Sequence, residues 1–264
     1  MQNNLISSTQ NPMIKSLVLL QKKKSERKKE NLFIVEGIKC VNEIPQNYNV
    51  KYYITTPDFT KEQIPALETG KWFIVTDEVY KALSETTSPQ GVMAVVEMPC
   101  IRLEDLQGDK QAFYLVLENI QDPGNLGTII RTAHAFGVKA VLISKGSVDL
   151  YSPKVVRSTM GSLFHIPLVI DYEIEEYINY LKDNGFTIYA TALEEARPLF
   201  DTQFNSQLAI VIGNEANGVS QYIKENIDYK VMIPMPGGSE SLNASVATSI
   251  CIYEVMRQIS TLTP

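Results

Sequence analysis

The sequence predicts an α/β protein: a larger C-terminal domain on a mostly parallel sheet, preceded by a smaller α/β domain. Three observations carry this. After residue 111 the short apolar runs "FYLVLEN", "AVLIS", "TIYATAL", "LAIVIG" and "YKVMIPM" follow one another, most of them separated by helical segments, as strands buried on both faces of a parallel sheet do. The first hundred residues alternate helical and strand patterns on a smaller scale. Between the two, "PCIRLEDLQGDKQ" (99–111) is polar, contains Pro and Gly and precedes a fresh strand, so it reads as a linker between domain 1–98 and domain 112–264.

In chain order, "NPMIKSLVLLQKKKSERKKE" opens on an Asn-Pro start signal and reads as one helix. "LFIVEG" is a strand stopped by Gly37, "KYYITT" and "KWFIVT" are two more, "TDEVYKALSE" is a helix capped by Thr76, and "GVMAVVEM" is a closing strand. In the second domain "FYLVLEN" ends at Asn119, "QDPG" reads as a turn, and a helix starts near Asn125. Leu126, Ile129, Ile130, Ala133 and Gly137 share one stripe of that helix, which turns Arg131 away from the core. "LAIVIGNEANGVS" is a buried strand that ends by presenting Gly213, Asn214, Glu215 and Gly218. "VMIPMPGGSESLNASVATSICIYEVMRQ" is a strand, a Gly237-Gly238 loop and a long helix beginning near Ser241. Each polar loop follows a strand end, where ligands of such sheets bind.

Composition narrows the function. With 264 residues, 44% of them hydrophobic, the chain can bury a sizeable core. A formal net charge of -6 weighs against nonspecific nucleic-acid binding, but the charge is polarised. Lys15, Lys22, Lys23, Lys24, Arg27, Lys28 and Lys29 crowd the start, whereas Asp171, Glu173, Glu175 and Glu176 lie later. Such a lysine run is ordinarily a solvated helix face, so an RNA reading needs support elsewhere. Cys40, Cys100 and Cys251 have neither zinc-site spacing nor the density of a disulfide scaffold, and a reducing cytoplasm is expected. No secretory leader and no apolar run of the ~18 residues of a membrane span is read, so no membrane partner is expected. His134 and His165 are too few for a zinc site or a triad and read as structural, and Cys251 reads as core; no metal is expected. Neither GxGxxG nor GxxxxGK[ST] occurs, which disfavours dinucleotide and P-loop chemistry.

Taken together, "NIQDPGNLGTIIRTAHAFG", "IGNEANGV" and "IPMPGGSESLNASVA" resemble the three motifs of the SpoU (TrmH-like) RNA 2'-O-ribose methyltransferases. "SPKVVRSTMGSLFHIPL" is similar to the segment between the first two motifs, and the front domain is similar to the L30e-like substrate-binding domain of many members. The resemblance implies a homodimer through the C-terminal domain, whose chain forms a trefoil knot, with S-adenosylmethionine held in the knotted loops. It implies cofactor contacts at Thr191, Gly213, Asn214, Ile233, Met235 and Leu242. Arg131 is then the catalytic residue, as base or as phosphate clamp, with Asn125, Glu215, Ser241 and Asn243 holding it and the ribose, and Glu215 orienting the guanidinium if it lies beside it. Lys22, Lys23, Lys24, Arg27, Lys28 and Lys29 become candidate RNA contacts. The two-domain layout favours 23S ribosomal RNA as substrate. The alternatives are a tRNA 2'-O-ribose methyltransferase and a noncatalytic RNA-binding protein on the same scaffold.

Overall fold

The computed structural model describes residues 5–59, 71–106, 111–238 and 241–260. The chain packs as two compact units: Met1–Pro99 with Asp149–Phe164, and Cys100–Val148 with His165–Pro264. No helix among the described residues is long and apolar enough to cross a membrane.

In the first unit, α1 (Pro12–Lys22) starts as its sequence signals: the Asn11 side chain accepts from the Met13 amide, and Pro12 fills a first-turn position that needs no N–H. The single helix expected through the lysine run is two. Lys23 is extended and α2 (Lys24–Glu30) follows it. The break has a physical reason, because it turns Arg27 inward so that its guanidinium donates to the Leu20 and Gln21 carbonyls at the end of α1 and to the Asp149 carboxylate. Strand β1 (Leu32–Glu36), helix α3 (Ile38–Asn42), β2 (Val50–Thr55), β3 (Trp72–Ile74), α4 (Asp77–Leu83) and β4 (Val92–Glu97) complete the unit. The closing strand is central: the sheet order is β1-β4-β2-β3, with β4 antiparallel to both neighbours. Helices α1 and α4 bury Ile14, Leu17, Leu20, Val79 and Leu83 against Ile34, Ile54, Met93 and Val95; Thr76 caps α4 as expected.

The second unit carries a seven-stranded, all-parallel sheet in the order β7-β6-β5-β10-β8-β11-β9. Its elements are β5 (Phe113–Leu117), α5 (Pro123–Ala135), β6 (Ala140–Ile143), β7 (Leu168–Ile170), α7 (Ile174–Asp183), β8 (Thr187–Thr191), β9 (Arg197–Pro198), β10 (Leu208–Ile212), α8 (Gln221–Asn226), β11 (Tyr229–Met232) and α9 (Ala244–Ser260). Helix α6 (Pro153–Thr159) falls in the segment that packs with the first unit. All five residues of β5 and of β10 are buried, as their unbroken apolar runs require. Tyr114 and Val116 face Tyr177, Ile178 and Leu181 of α7; α5 and α9 pack against each other. From β5 the chain moves out to β6 and β7, then resumes at β8 on the far side of β10. The order therefore reverses between β5 and β10, which places a crevice at their carboxyl ends.

Two boundaries differ from the sequence reading. The linker is not free: Ile101, Leu103 and Leu106 join the α7 core of the second unit, while 107–110 lie outside the described residues. The segment Asp149–Phe164, assigned from sequence to the second domain, packs with the first unit. There Asp149 pairs with Arg27, Tyr151 and Phe164 meet the Phe33 ring, and Arg157 lies 3.8 Å from Glu36.

Candidate active site

Helix α5 begins two residues earlier than its apolar pattern suggests. Asp122 is the N-cap, its Oδ1 accepting from the Asn125 amide at 2.8 Å, and Pro123 and Gly124 are helical rather than a separate turn. The Asp-Pro pair is a start signal in its own right. Asn125 is therefore not the cap. It sits inside the first turn, 8% exposed, with both side-chain ends engaged.

One end of Asn125 meets Glu215. Its Nδ2 donates to Glu215 Oε1 at 3.1 Å, and the same carboxylate accepts from the amides of Gln121 and Asp122, each at 3.2 Å. A carboxylate at a helix N-terminus meets amides with no partner inside the helix and the positive end of the helix dipole. Partial burial pushes the Glu215 carboxyl upward, but hydrogen bonds from Asn125 and from backbone amides, including those of Gln121 and Asp122, outweigh it and hold the carboxyl below its ordinary value.

The other end of Asn125 meets α9. Its Oδ1 accepts from Asn243 Nδ2 at 2.9 Å, and Asn243 Oδ1 caps α9 by accepting from the Ser245 and Val246 amides. Helix α9 starts at Ala244, so Ser241 and Leu242 lie in the loop before it, both exposed. A continuous polar chain, Glu215–Asn125–Asn243, thus ties together the loops that follow β5, β10 and β11. Arg131 lies on the exposed face of α5, as its position opposite Leu126, Ile129, Ile130 and Ala133 predicts. Its side chain makes no hydrogen bond or ion pair to any described residue, and Glu215 is committed to the helix N-terminus rather than to the guanidinium. Gly137 falls outside the stripe, exposed beyond the end of α5 with φ +72°.

The other site residues end neighbouring strands. Ala190 of β8 is level with Val211 of β10, and Thr191 with Val231 of β11, so Thr191, Gly213 and Ile233 share one rim of the sheet. Gly213 is dictated by the chain's own return: a Cβ there would lie less than 3.0 Å from the Gly218 and Val219 backbone. Asn214 shapes this loop. Its N and O pair with Gly218, its Oδ1 accepts from the Ala216 and Asn217 amides, and its Nδ2 donates to the Asn119 carbonyl. The rim fits a nucleoside carrying an aliphatic chain. Ile233 and Met235 are half-buried and Leu242 is 37% exposed, which leaves apolar side chains where a ring and methylenes need them.

Other sequence candidates separate. Lys22, Lys23, Lys24, Lys28 and Lys29 are exposed, the last beside Glu26 and Glu30. Arg27 is 4% exposed and holds α1, α2 and Asp149 together, so it is not an open cation for RNA. His134 and His165 are surface residues with stacked rings 5.1 Å apart; Cys251 is buried as expected, its thiol pushed up to about 12 by burial. Sequence reasoning missed Asp122 as cap, and Asn119 and Gln121 as partners of the second loop. The Asp-Pro pair could have revealed the first; the others depend on contacts between segments about ninety residues apart.

Both parts of the chain match known families. Residues 112–253 match the SpoU rRNA Methylase family, and residues 11–94 match the MRM3-like substrate binding domain. The chain is 36% identical over 252 residues to the 23S rRNA (guanosine(2553)-2'-O)-methyltransferase RlmP of Bacillus subtilis, covering 95% of this chain and 98% of that protein. The crystal structure of AdoMet-bound rRNA methyltransferase from Sinorhizobium meliloti superposes with a TM-score of 0.88 at 28% identity, covering 96% of this chain and 97% of that one. The SpoU methyltransferase AviRb from Streptomyces viridochromogenes, in complex with the cofactor AdoMet, gives 0.86 at 26% identity over 95% of this chain and all of that one. A match that takes in the whole polar chain from Asn125 to Asn243, and a relative alignable almost end to end, make this chain a member of the SpoU rRNA methylase family, the S-adenosylmethionine-dependent RNA 2'-O-ribose methyltransferases.

Proposed function

We propose that this chain methylates one ribose 2'-hydroxyl of 23S ribosomal RNA, with Arg131 as the catalytic residue. The observation that carries the site assignment is the Glu215–Asn125–Asn243 chain, which fixes the first turn of the helix bearing Arg131 against two other loops. The RNA assignment draws on the 23S rRNA activity named for the Bacillus relative and on the exposed lysines of the first domain. Bound at the rim formed by Thr191, Gly213, Ile233, Met235 and Leu242, S-adenosylmethionine supplies an electrophilic methyl group.

The remaining work falls to side chains. A guanidinium with a pKa above ~12 is a poor proton acceptor at neutral pH. Arg131 instead holds an RNA phosphate through its bidentate donors, so that a phosphate oxygen takes the 2'-hydroxyl proton while the guanidinium stabilises the developing alkoxide. Asn125 and Asn243 keep the α5 and α9 starts in register, Glu215 keeps the α5 start in place, and Ser241 offers a hydroxyl beside the ribose. Lys22, Lys23, Lys24, Lys28 and Lys29 recruit the RNA backbone. Domain 1–98 serves as the RNA-binding part and 112–264 as the catalytic part.

The chain works in the cytoplasm as a homodimer whose catalytic domain carries a trefoil knot. Support for the dimer is an exposed apolar stripe on α9, Val246, Ile250 and Tyr253, continued by Leu242 in the loop before the helix and by Phe136 at the end of α5, whose ring packs edge-on against Tyr253 at 5.9 Å. Support for the knot is the tie between the β11–α9 loop and the start of α5. The test is incubation with unmodified 23S ribosomal RNA, or with tRNA, and a labelled methyl donor. Label is expected in the ribosomal RNA; transfer to tRNA alone, or no transfer, would overturn the assignment.

A further inference from the structure

The crevice between β5 and β10 holds a second polar assembly, made of residues to which the mechanism above gives no role. Asn119 closes β5 in the left-handed region, φ +55°, a conformation rarely adopted without local support. The support comes from two other loops. The Asn119 amide donates to Ser144 Oγ at 3.0 Å, and its carbonyl accepts from Asn214 Nδ2 at 2.9 Å. Its Oδ1 accepts from Gln121 Nε2 at 2.6 Å, and the same Nε2 donates to the Gly146 carbonyl at 2.7 Å. Gly146 has φ +87°, and a Cβ there would come within 3.0 Å of Asn119 Oδ1. Gln121 therefore binds the loop after β6 with its side chain while its own amide, at 3.2 Å, holds Glu215.

We propose that Gln121 is a positioning residue for methyl transfer: by clamping Asn119 and Gly146 it fixes the backbone amides that hold Glu215, and through Glu215 it fixes Asn125 at the start of the Arg131 helix. This inference rests on the catalytic reading of Arg131 and Glu215. The direction of the hydrogen bonds makes it specific. Gln121 Nε2 is a donor facing three acceptors, Asn119 Oδ1, the Asn119 carbonyl at 3.2 Å and the Gly146 carbonyl, so Gln121→Glu, which keeps the shape, sets a carboxylate against three oxygens. Asn119→Asp keeps the acceptor that Gln121 uses.

The experiment measures steady-state methylation of unmodified 23S ribosomal RNA, S-adenosylmethionine affinity by calorimetry, and hydrogen exchange of the 213–218 loop. For Gln121→Ala we expect kcat to fall about tenfold, and for Gln121→Glu further, as expected for a misplaced catalytic group. Cofactor affinity and RNA KM stay near wild type, Asn119→Asp retains activity, and the 213–218 amides exchange faster in both Gln121 variants. In a double-mutant cycle with Glu215→Gln, the losses are less than additive in log kcat. A kcat within twofold of wild type in both Gln121 variants, a loss confined to RNA KM, or additivity with Glu215→Gln would overturn the proposal. Hydrogen exchange reads the clamp without RNA: faster exchange with no methyl transfer by the wild type would leave the clamp standing and reject the catalytic reading, whereas unchanged exchange rejects the clamp itself.

Discussion

Asn125→Asp changes one amide nitrogen for an oxygen and leaves the shape of the site intact, yet it replaces the donor that Glu215 accepts from at 3.1 Å with a second carboxylate. Two unit charges at that separation repel by about 5 kcal/mol at an effective dielectric constant of about 20. Solvent reaches Glu215, so somewhat under half of this, about 2 kcal/mol, is the expected penalty once screening is counted. The penalty depends on pH in a fixed direction. In the wild type the Glu215 carboxyl lies below its ordinary value of 4.5, so the stability it contributes is complete above that value and is lost as pH falls through the lowered one. In the variant the pair holds one proton up to a raised pKa, and an acid raised on folding destabilises increasingly as pH climbs from its ordinary value to the raised one. Urea unfolding of both proteins at about pH 5 and about pH 8 should show the stability gap wider at the higher pH by about 2 kcal/mol. Single-turnover methylation at about pH 8 should be slower by roughly a hundredfold, the usual consequence of a small displacement of a catalytic group. A gap equal at the two pH values would refute the contact between these side chains.

Other outcomes follow from the same geometry. Arg131→Ala should abolish methyl transfer while calorimetry finds S-adenosylmethionine affinity unchanged; Arg131→Lys should restore little, because an ammonium lacks the planar fork that clamps a phosphate. Gly213→Ala should cost about 3 kcal/mol or more in chemical denaturation, since the added carbon overlaps the returning backbone of Gly218 and Val219. Arg27→Ala should lose about 3 kcal/mol of stability by stranding Asp149 and two carbonyls, whereas the triple change of Lys22, Lys23 and Lys24 to Ala should leave stability intact and flatten the salt dependence of RNA binding by roughly two counterions. Val246→Glu should convert a dimer to a monomer in sedimentation equilibrium, because it sets a charge in the exposed α9 stripe.

Much of this architecture is legible in the sequence because long buried strands need unbroken apolar runs, as β5 and β10 show. The short strands β7 and β9, three and two residues long, offer too little pattern to see. The break at Lys23 escapes because its cause is the inward turn of Arg27 toward Asp149, more than a hundred residues away. Position alone gave Arg131 its outward direction, while Asn125, Glu215 and Asn243 were recognisable only through the three motifs. How they connect was not: the bonds that join them span 90 and 118 residues in sequence. The bonds by which Asn214 shapes its own loop were not legible either.

The central claim is that this polar chain holds Arg131 for transfer to a ribose oxygen. Methylated 23S ribosomal RNA digested to nucleosides and separated by mass spectrometry tests it most directly. The expected product is one 2'-O-methylnucleoside, present with the wild type and absent with Arg131→Ala. A methyl group on a base, or an undiminished ribose product from Arg131→Ala, would contradict it.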